Sequence, residues 1–164
     1  MADTIVRVTH RYTVAAERVF EAWLTPALAG RFLFATRTGN ILHCEIEPRV
    51  GGYFIVTDRR PVPDGEESFF EAQHRGTYLA IDRPRRLVFE FGIEPFVEDA
   101  TRVTIDIAPG AGHTCELTLT HELGDSPEAE ANATRTRQGW VATLQLLEKV
   151  LTTRSWGFRT PGSA

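Results

Sequence analysis

Six apolar-polar alternating runs follow one another between Thr36 and His121, and this succession constrains the fold more than any other feature of the chain. The runs are Ile41 to Glu47, Tyr53 to Asp58, Phe69 to Ile81, Arg86 to Phe91, Arg102 to Ile107 and Cys115 to His121. Alternation with a period of two is the pattern of a half-buried strand. The segments between the runs are turn chemistry: Gly51-Gly52, Pro61-Val62-Pro63-Asp64-Gly65, Asp82-Arg83-Pro84 and Pro109-Gly110-Ala111-Gly112. Short turns of this kind join antiparallel neighbours, so the expectation is a meander. In the later runs Leu87, Phe89 and Phe91, then Val103, Ile105 and Ile107, then Cys115, Leu117 and Leu119 share one parity. One face of the sheet is therefore apolar and must be covered.

The cover comes from the C-terminus. Ser126-Pro127-Glu128 has the residues of a helix start: a hydroxyl cap, a proline at the first helical position and an acid at the positive end of the dipole. The helix is expected to run to about Arg154, with Trp140, Leu144, Leu147 and Leu151 forming one stripe toward the sheet. Upstream, Ile5 to Tyr12 alternates as a further strand. Thr13 is positioned to cap a short helix carrying Val19, Phe20 and Trp23, and Thr25-Pro26 opens a second carrying Leu28 and Phe32. This is an α+β pattern.

At 164 residues one core suffices, and residues 1–154 are expected to form a single domain followed by a tail, 155–164, from which Trp156 and Phe158 could dock. With 22 acidic against 18 basic side chains the net charge is -4, and no basic face can be built, which argues against nucleic acid as a partner. No segment has the about 20 apolar residues of a membrane span, and no basic-then-apolar leader opens the chain, so a cytoplasmic location is the expectation. Cys44 and Cys115 are expected to remain thiols. His43-Cys44 and His113 with Cys115 lack the spacing of a zinc site, and there is no Gly-rich nucleotide loop or nucleophile elbow. No metal, cofactor or catalytic set is assigned.

Four motifs, in order, carry a resemblance: Val19-Phe20-Glu21-Ala22-Trp23-Leu24-Thr25-Pro26; Arg49-Val50-Gly51-Gly52; Gly76-Thr77-Tyr78-Leu79-Ala80-Ile81-Asp82-Arg83-Pro84-Arg85-Arg86-Leu87-Val88-Phe89; and Gly139-Trp140. They resemble the activator of Hsp90 ATPase homologue-like family of the START/SRPBCC, Bet v 1-like superfamily, from about Ile5 to Leu151. Phe32 stands where that family usually has Trp, and Val50 where it usually has Pro. The resemblance implies the helix-grip fold: a curved antiparallel sheet wrapped around a long C-terminal helix, with two short helices after the first strand. It further implies a cavity between sheet and helix for an apolar or amphipathic small molecule such as a lipid, polyketide or aromatic compound. Two other roles follow from the likeness, a chaperone-associated module and a cyclase- or hydrolase-type enzyme using the same cavity.

Inward-pointing positions are the candidate ligand contacts. Phe54, Phe89, Phe91, Leu117, Leu119, Trp140, Leu144 and Leu147 follow from the parity of strands and helix, although a solid core would use the same residues. The strand through Gly76 has two registers. With Leu79 and Ile81 inward, Gln73, Arg75 and Thr77 join them, and a buried Arg75 would need an acid or an anionic ligand. With a bulge near Gly76, His74 and Tyr78 point inward instead. Finally, an N-terminal edge strand could pair with a second copy of the chain to make a homodimer.

Overall fold

The computed structural model describes residues 3–35, 40–61, 69–93 and 100–153. Strand β1 (Thr4–Tyr12) is followed by α1 (Ala16–Ala22) and α2 (Pro26–Ala29). The meander comprises β2 (Asn40–Ile46), β3 (Tyr53–Pro61), β4 (Phe69–Asp82), β5 (Arg86–Ile93), β6 (Thr101–Pro109) and β7 (Cys115–Gly124), and α3 (Pro127–Thr152) ends the described chain. The strands form one seven-stranded antiparallel sheet in the order β1-β7-β6-β5-β4-β3-β2. Every meander strand thus lies beside its sequence neighbour, as short turns require, and β1 closes onto β7. The architecture is the α+β helix-grip arrangement.

Helix α3 crosses the β1 and β7 end of the sheet. Tyr12 donates its hydroxyl to Leu144 O at 2.9 Å, Arg137 donates to Arg7 O at 2.7 Å, and His10 meets Glu148 at 2.7 Å. Between them Val6, Val8, Leu117, Leu119, Leu144, Leu147 and Leu151 form a buried apolar seam, each side chain coming from the parity of its own element. Helices α1 and α2 add Val19, Phe20 and Ala29 to the same core, with Trp23 at the end of α1; Phe32, expected on the second helix, joins the core from the turns after α2, which ends at Ala29. Ser126 caps α3 by accepting from Ala129 N at 3.1 Å. Thr13 does not cap α1: the N-cap is Ala15, two residues closer, with no side-chain bond to the helix. Thr25 is the N-cap of α2 but turns its hydroxyl back to Glu21 O at 2.7 Å.

The register of β4 is the outcome that matters for the site. Pairing with β5 shifts between Tyr78 and Ala80, leaving Leu79 as an extra residue that is 36% exposed. Ahead of this bulge Ala72, His74 and Tyr78 are buried, and beyond it Ile81 packs on the core. The bulge lets one strand bury apolar side chains of opposite parity. Leu79 is consequently outward rather than inward, and Gln73, Arg75 and Thr77 lie on the outer face of the sheet. Gly76 is inward, with Phe54 lying over it: a Cβ there would fall 2.2 Å from the Phe54 ring. The expected tail 155–164, its Trp156 and Phe158, and most of the Pro61-to-Gly65 turn lie outside the described residues.

Candidate functional site

The inward rows of β3 to β7 change character toward one end of the sheet. Along β7 the series Cys115, Leu117, Leu119 continues to His121; along β3 Phe54 and Val56 continue to Asp58; along β4 Tyr78 and Gly76 lead to His74. Phe91 on β5 and Thr101 on β6 are paired with each other between these positions. Antiparallel pairing brings these ends of successive strands together, so polar side chains gather at one mouth of an otherwise apolar interior.

There the sheet and α3 separate around a cavity of about 540 Å³, within the range usual for small-molecule sites. Phe34, Phe91 and Trp140 provide aromatic walls; His74, Thr101, His121 and Thr143 provide polar groups; Arg60 and Arg135 also line it. The rings of Phe34 and Phe91 lie 5.1 Å apart, and Trp140 is 6.1 Å from Phe34 and 6.4 Å from Phe91. Phe34, just after α2, has a backbone φ of 61°. A bulky residue rarely adopts that left-handed conformation, and here it lays the ring on His74, with centroids 4.0 Å apart.

His121, Thr101, His74 and Arg60 have defined partners. Trp140 Nε1 donates to His121 Nδ1 at 3.0 Å, and His121 Nε2 meets Thr101 Oγ1 at 2.7 Å. Burial pushes the His121 pKa down to about 4, so the ring is neutral. His74, 3% exposed, has Nδ1 3.3 Å from Val56 O and 3.7 Å from Asp58 Oδ1. Burial pushes its pKa down, while the Asp58 carboxylate acts the opposite way. Asp58 is wholly buried and accepts from Arg60 Nε at 2.5 Å, which neutralises a charge that could not otherwise stay in the interior. No group of three His, Cys, Asp or Glu side chains suited to a metal occurs among the described residues.

Of the residues expected at the site, Phe91 and Trp140 line this cavity. Phe54 lies just behind Phe91, with centroids 6.5 Å apart, and Tyr78, Phe89, Leu117, Leu119, Leu144 and Leu147 are fully covered core side chains. Gln73 bonds Thr57 at 3.5 Å on the outer face, and Arg75 borders a smaller outer recess with Tyr53, Thr77 and Glu90. Neither lines the cavity under α3. Burial raises the Tyr78 pKa well beyond its ordinary value, so its phenol stays protonated. Sequence reasoning did not single out Phe34, Asp58, Arg60, Thr101, His121 or Thr143. Parity alone pointed to His121 and Asp58, which continue apolar series already recognised; nothing in the sequence announced the left-handed turn at Phe34.

The family model described as activator of Hsp90 ATPase homolog 1-like protein matches residues 13–152. The chain belongs to that family. Solved structures of proteins of similar length share the fold. A crystal structure of a protein from Rhodobacter sphaeroides is 23% identical with a TM-score of 0.72, over 92% of this chain and 95% of that one. A solution structure of a protein from Arthrobacter aurescens is 16% identical, with a TM-score of 0.73 over 97% and 95%. A crystal structure of a protein from Nitrosomonas europaea is 19% identical, with a TM-score of 0.71 over 92% and 96%. No curated protein matches this family member.

Proposed function

We propose that this protein binds an apolar or amphipathic small molecule in the cavity between the sheet and the middle of α3. The observation that carries the reading is a recess of about 540 Å³ lined by the contacting rings of Phe34, Phe91 and Trp140 and by the polar side chains of His74, Thr101, His121 and Thr143. A core packed only for stability brings such rings into contact with other side chains and leaves few voids larger than a water molecule. Here Phe91 stays partly accessible although it continues the buried series Leu87 and Phe89. Apolar walls with a few fixed polar groups are the usual composition of a small-molecule site, the walls giving affinity and the polar groups orientation.

The test is a thermal-shift screen of the full chain against lipids and aromatic compounds, joined to native mass spectrometry of the freshly purified protein. A ligand at a hundred times its Kd stabilises the fold by about 2.7 kcal/mol, which moves the melting point measurably. Replacing Gly139, which borders the cavity on α3, by Trp should abolish that shift while leaving the fold intact, because no atom lies within 4 Å of a Cβ built there. Failure of every compound to shift the protein, with no retained mass, overturns the proposal.

A further inference from the structure

Both imidazoles at the cavity are held in one tautomer by partners that can play a single role. An indole N–H only donates, so His121 Nδ1, 3.0 Å from Trp140 Nε1, carries no proton. The ring proton is on Nε2 and is donated to Thr101 Oγ1 at 2.7 Å. Thr101 accepts there and keeps its own O–H to give. His74 is set the other way. A backbone carbonyl only accepts, so Nδ1 carries the proton directed at Val56 O, with Asp58 Oδ1 on the same side of the ring. Nε2 is left with a lone pair and has no hydrogen-bond partner among the described residues, on a cavity-lining side chain that is 3% exposed.

On this cavity-lining side chain a ligand hydroxyl can donate to that open lone pair, inside a site whose walls are largely apolar, where a hydrogen bond counts for more than in water. An ionised carboxylate has no proton to give this lone pair, whereas a hydroxyl would complete it. His74 on β4 pairs with Ile93 and Thr101 on β6 pairs with Phe91, so across β5 and a two-residue offset their backbones stand about 12 Å apart at ordinary strand dimensions. Phe91 on β5 lies between them, and Phe34 and Trp140 stand over it. The middle of the ligand is thus placed among aromatic faces, which favour a flat ring.

Resting on the binding role proposed above, we infer that the cavity takes a neutral aromatic alcohol of one or two fused rings. Its hydroxyl donates to His74 Nε2, and an acceptor at its far end, such as a carbonyl, receives the Thr101 hydroxyl.

The experiment is calorimetric titration of the full chain with 6-acetyl-2-naphthol, its methyl ether, 2-naphthol and 2-acetylnaphthalene. The methyl ether keeps the rings and the carbonyl but has no proton to give. The acetylnaphthol should bind about tenfold more tightly than the ether, the scale of one buried hydrogen bond. His74→Phe, which keeps an aromatic partner for Phe34, should remove that preference. Thr101→Val should leave the preference for hydroxyl over ether and remove the preference of acetylnaphthol over 2-naphthol. Circular dichroism of each variant checks folding, and either variant alone tests one end of the ligand. Equal binding of alcohol and ether to the unmodified protein overturns the inference while leaving a binding role intact. So does an undiminished preference in folded His74→Phe. If none of the four compounds binds but lipids shift the melting point, the ligand class is wrong; if nothing binds at all, both proposals fall.

Discussion

The Phe34 ring lies flat on the His74 imidazole, with centroids 4.0 Å apart and planes 6° from parallel. This contact joins the segment after α2 to the middle of β4 and fixes one wall of the cavity. It is made from a strained backbone, since φ at Phe34 is 61°. Strain of about 1 kcal/mol or more persists only where surrounding contacts repay it. Two substitutions separate the ring from the backbone. Phe34→Ala loses the ring and keeps the strain; Phe34→Gly loses the ring and relieves it. Phe34→Gly should therefore be the more stable of the two, by about 0.5–1 kcal/mol after its larger unfolded-state entropy is counted. Urea unfolding of both variants measures this. A more stable alanine variant would mean that the turn is not strained.

Trp140 orients His121, and the consequence is visible in the titration of that ring. With Phe at 140 the indole donor is gone, Nδ1 can accept a proton without facing another N–H, and the space left admits water. The His121 pKa should move up from about 4 toward the ordinary imidazole value. The fold should lose about 1–3 kcal/mol from the smaller side chain and the missing bond. Proton NMR of the His121 ring in Trp140→Phe follows the titration directly; an unchanged pKa would assign the depression to burial alone.

Neutral His121 also makes stability depend on pH. In the unfolded chain the imidazole titrates near 6.5, and in the fold near 4, so between these values the unfolded state holds the extra proton. Stability is complete above about pH 6.5 and falls as the pH is lowered to about 4, by on the order of 3 kcal/mol. His74, depressed by the same cause, acts in the same direction. Denaturant unfolding at neutral pH and near pH 4.5 should show the loss, and His121→Phe should show a shallower one. A slope identical in the variant would remove His121 as its source.

Much of this fold was legible because its signals are periodic. Strand parity placed Leu87 and Phe89, Val103 to Ile107 and Cys115 to Leu119 on the inner face, and the spacing of Trp140, Leu144, Leu147 and Leu151 placed α3 against them. The site was less legible because it lies where periodicity ends. His121 and Asp58 are polar residues at apolar phases, a mismatch that marks either a strand end or a site, and the sequence does not say which. The bulge at Leu79 reversed the parity from which Arg75 and Gln73 were taken to point inward. A single inserted residue does this without any change in composition. Phe34 needed a left-handed backbone that no residue type at that position signals.

Gly76 tests the packing behind the cavity. A Cβ at this position would lie 2.2 Å from Phe54 Cε2 and 2.7 Å from Glu90 O, and the second neighbour is backbone that cannot rotate away. Gly76→Ala should destabilise by about 2–3 kcal/mol, at the upper end of ordinary overpacking. In a Phe54→Leu background the ring is gone and only the clash with Glu90 O remains, so the two costs should sum to more than the double variant shows. Thermal unfolding of the four proteins in this cycle gives the coupling. Additive losses would mean that Phe54 swings aside freely and that the β3–β4 wall is softer than its geometry.

Asp58 bears on the tautomer of His74. Its carboxylate is wholly buried, holds Arg60 at 2.5 Å and stands 3.7 Å from His74 Nδ1. Asp58→Asn keeps an oxygen for Arg60 and removes the charge, whereas Asp58→Ala removes both. The alanine variant should be the less stable, by about 1–3 kcal/mol, because it loses the buried charge-assisted hydrogen bond between Asp58 and Arg60 outright. The asparagine variant carries the electrostatic prediction. The carboxylate raises the His74 pKa against the depression due to burial, so losing its charge should push that pKa further down. NMR titration of His74 in Asp58→Asn measures the direction. A rise instead would show that Asp58 acts on His74 mainly by excluding water, and that Val56 O alone holds the Nδ1 proton in place.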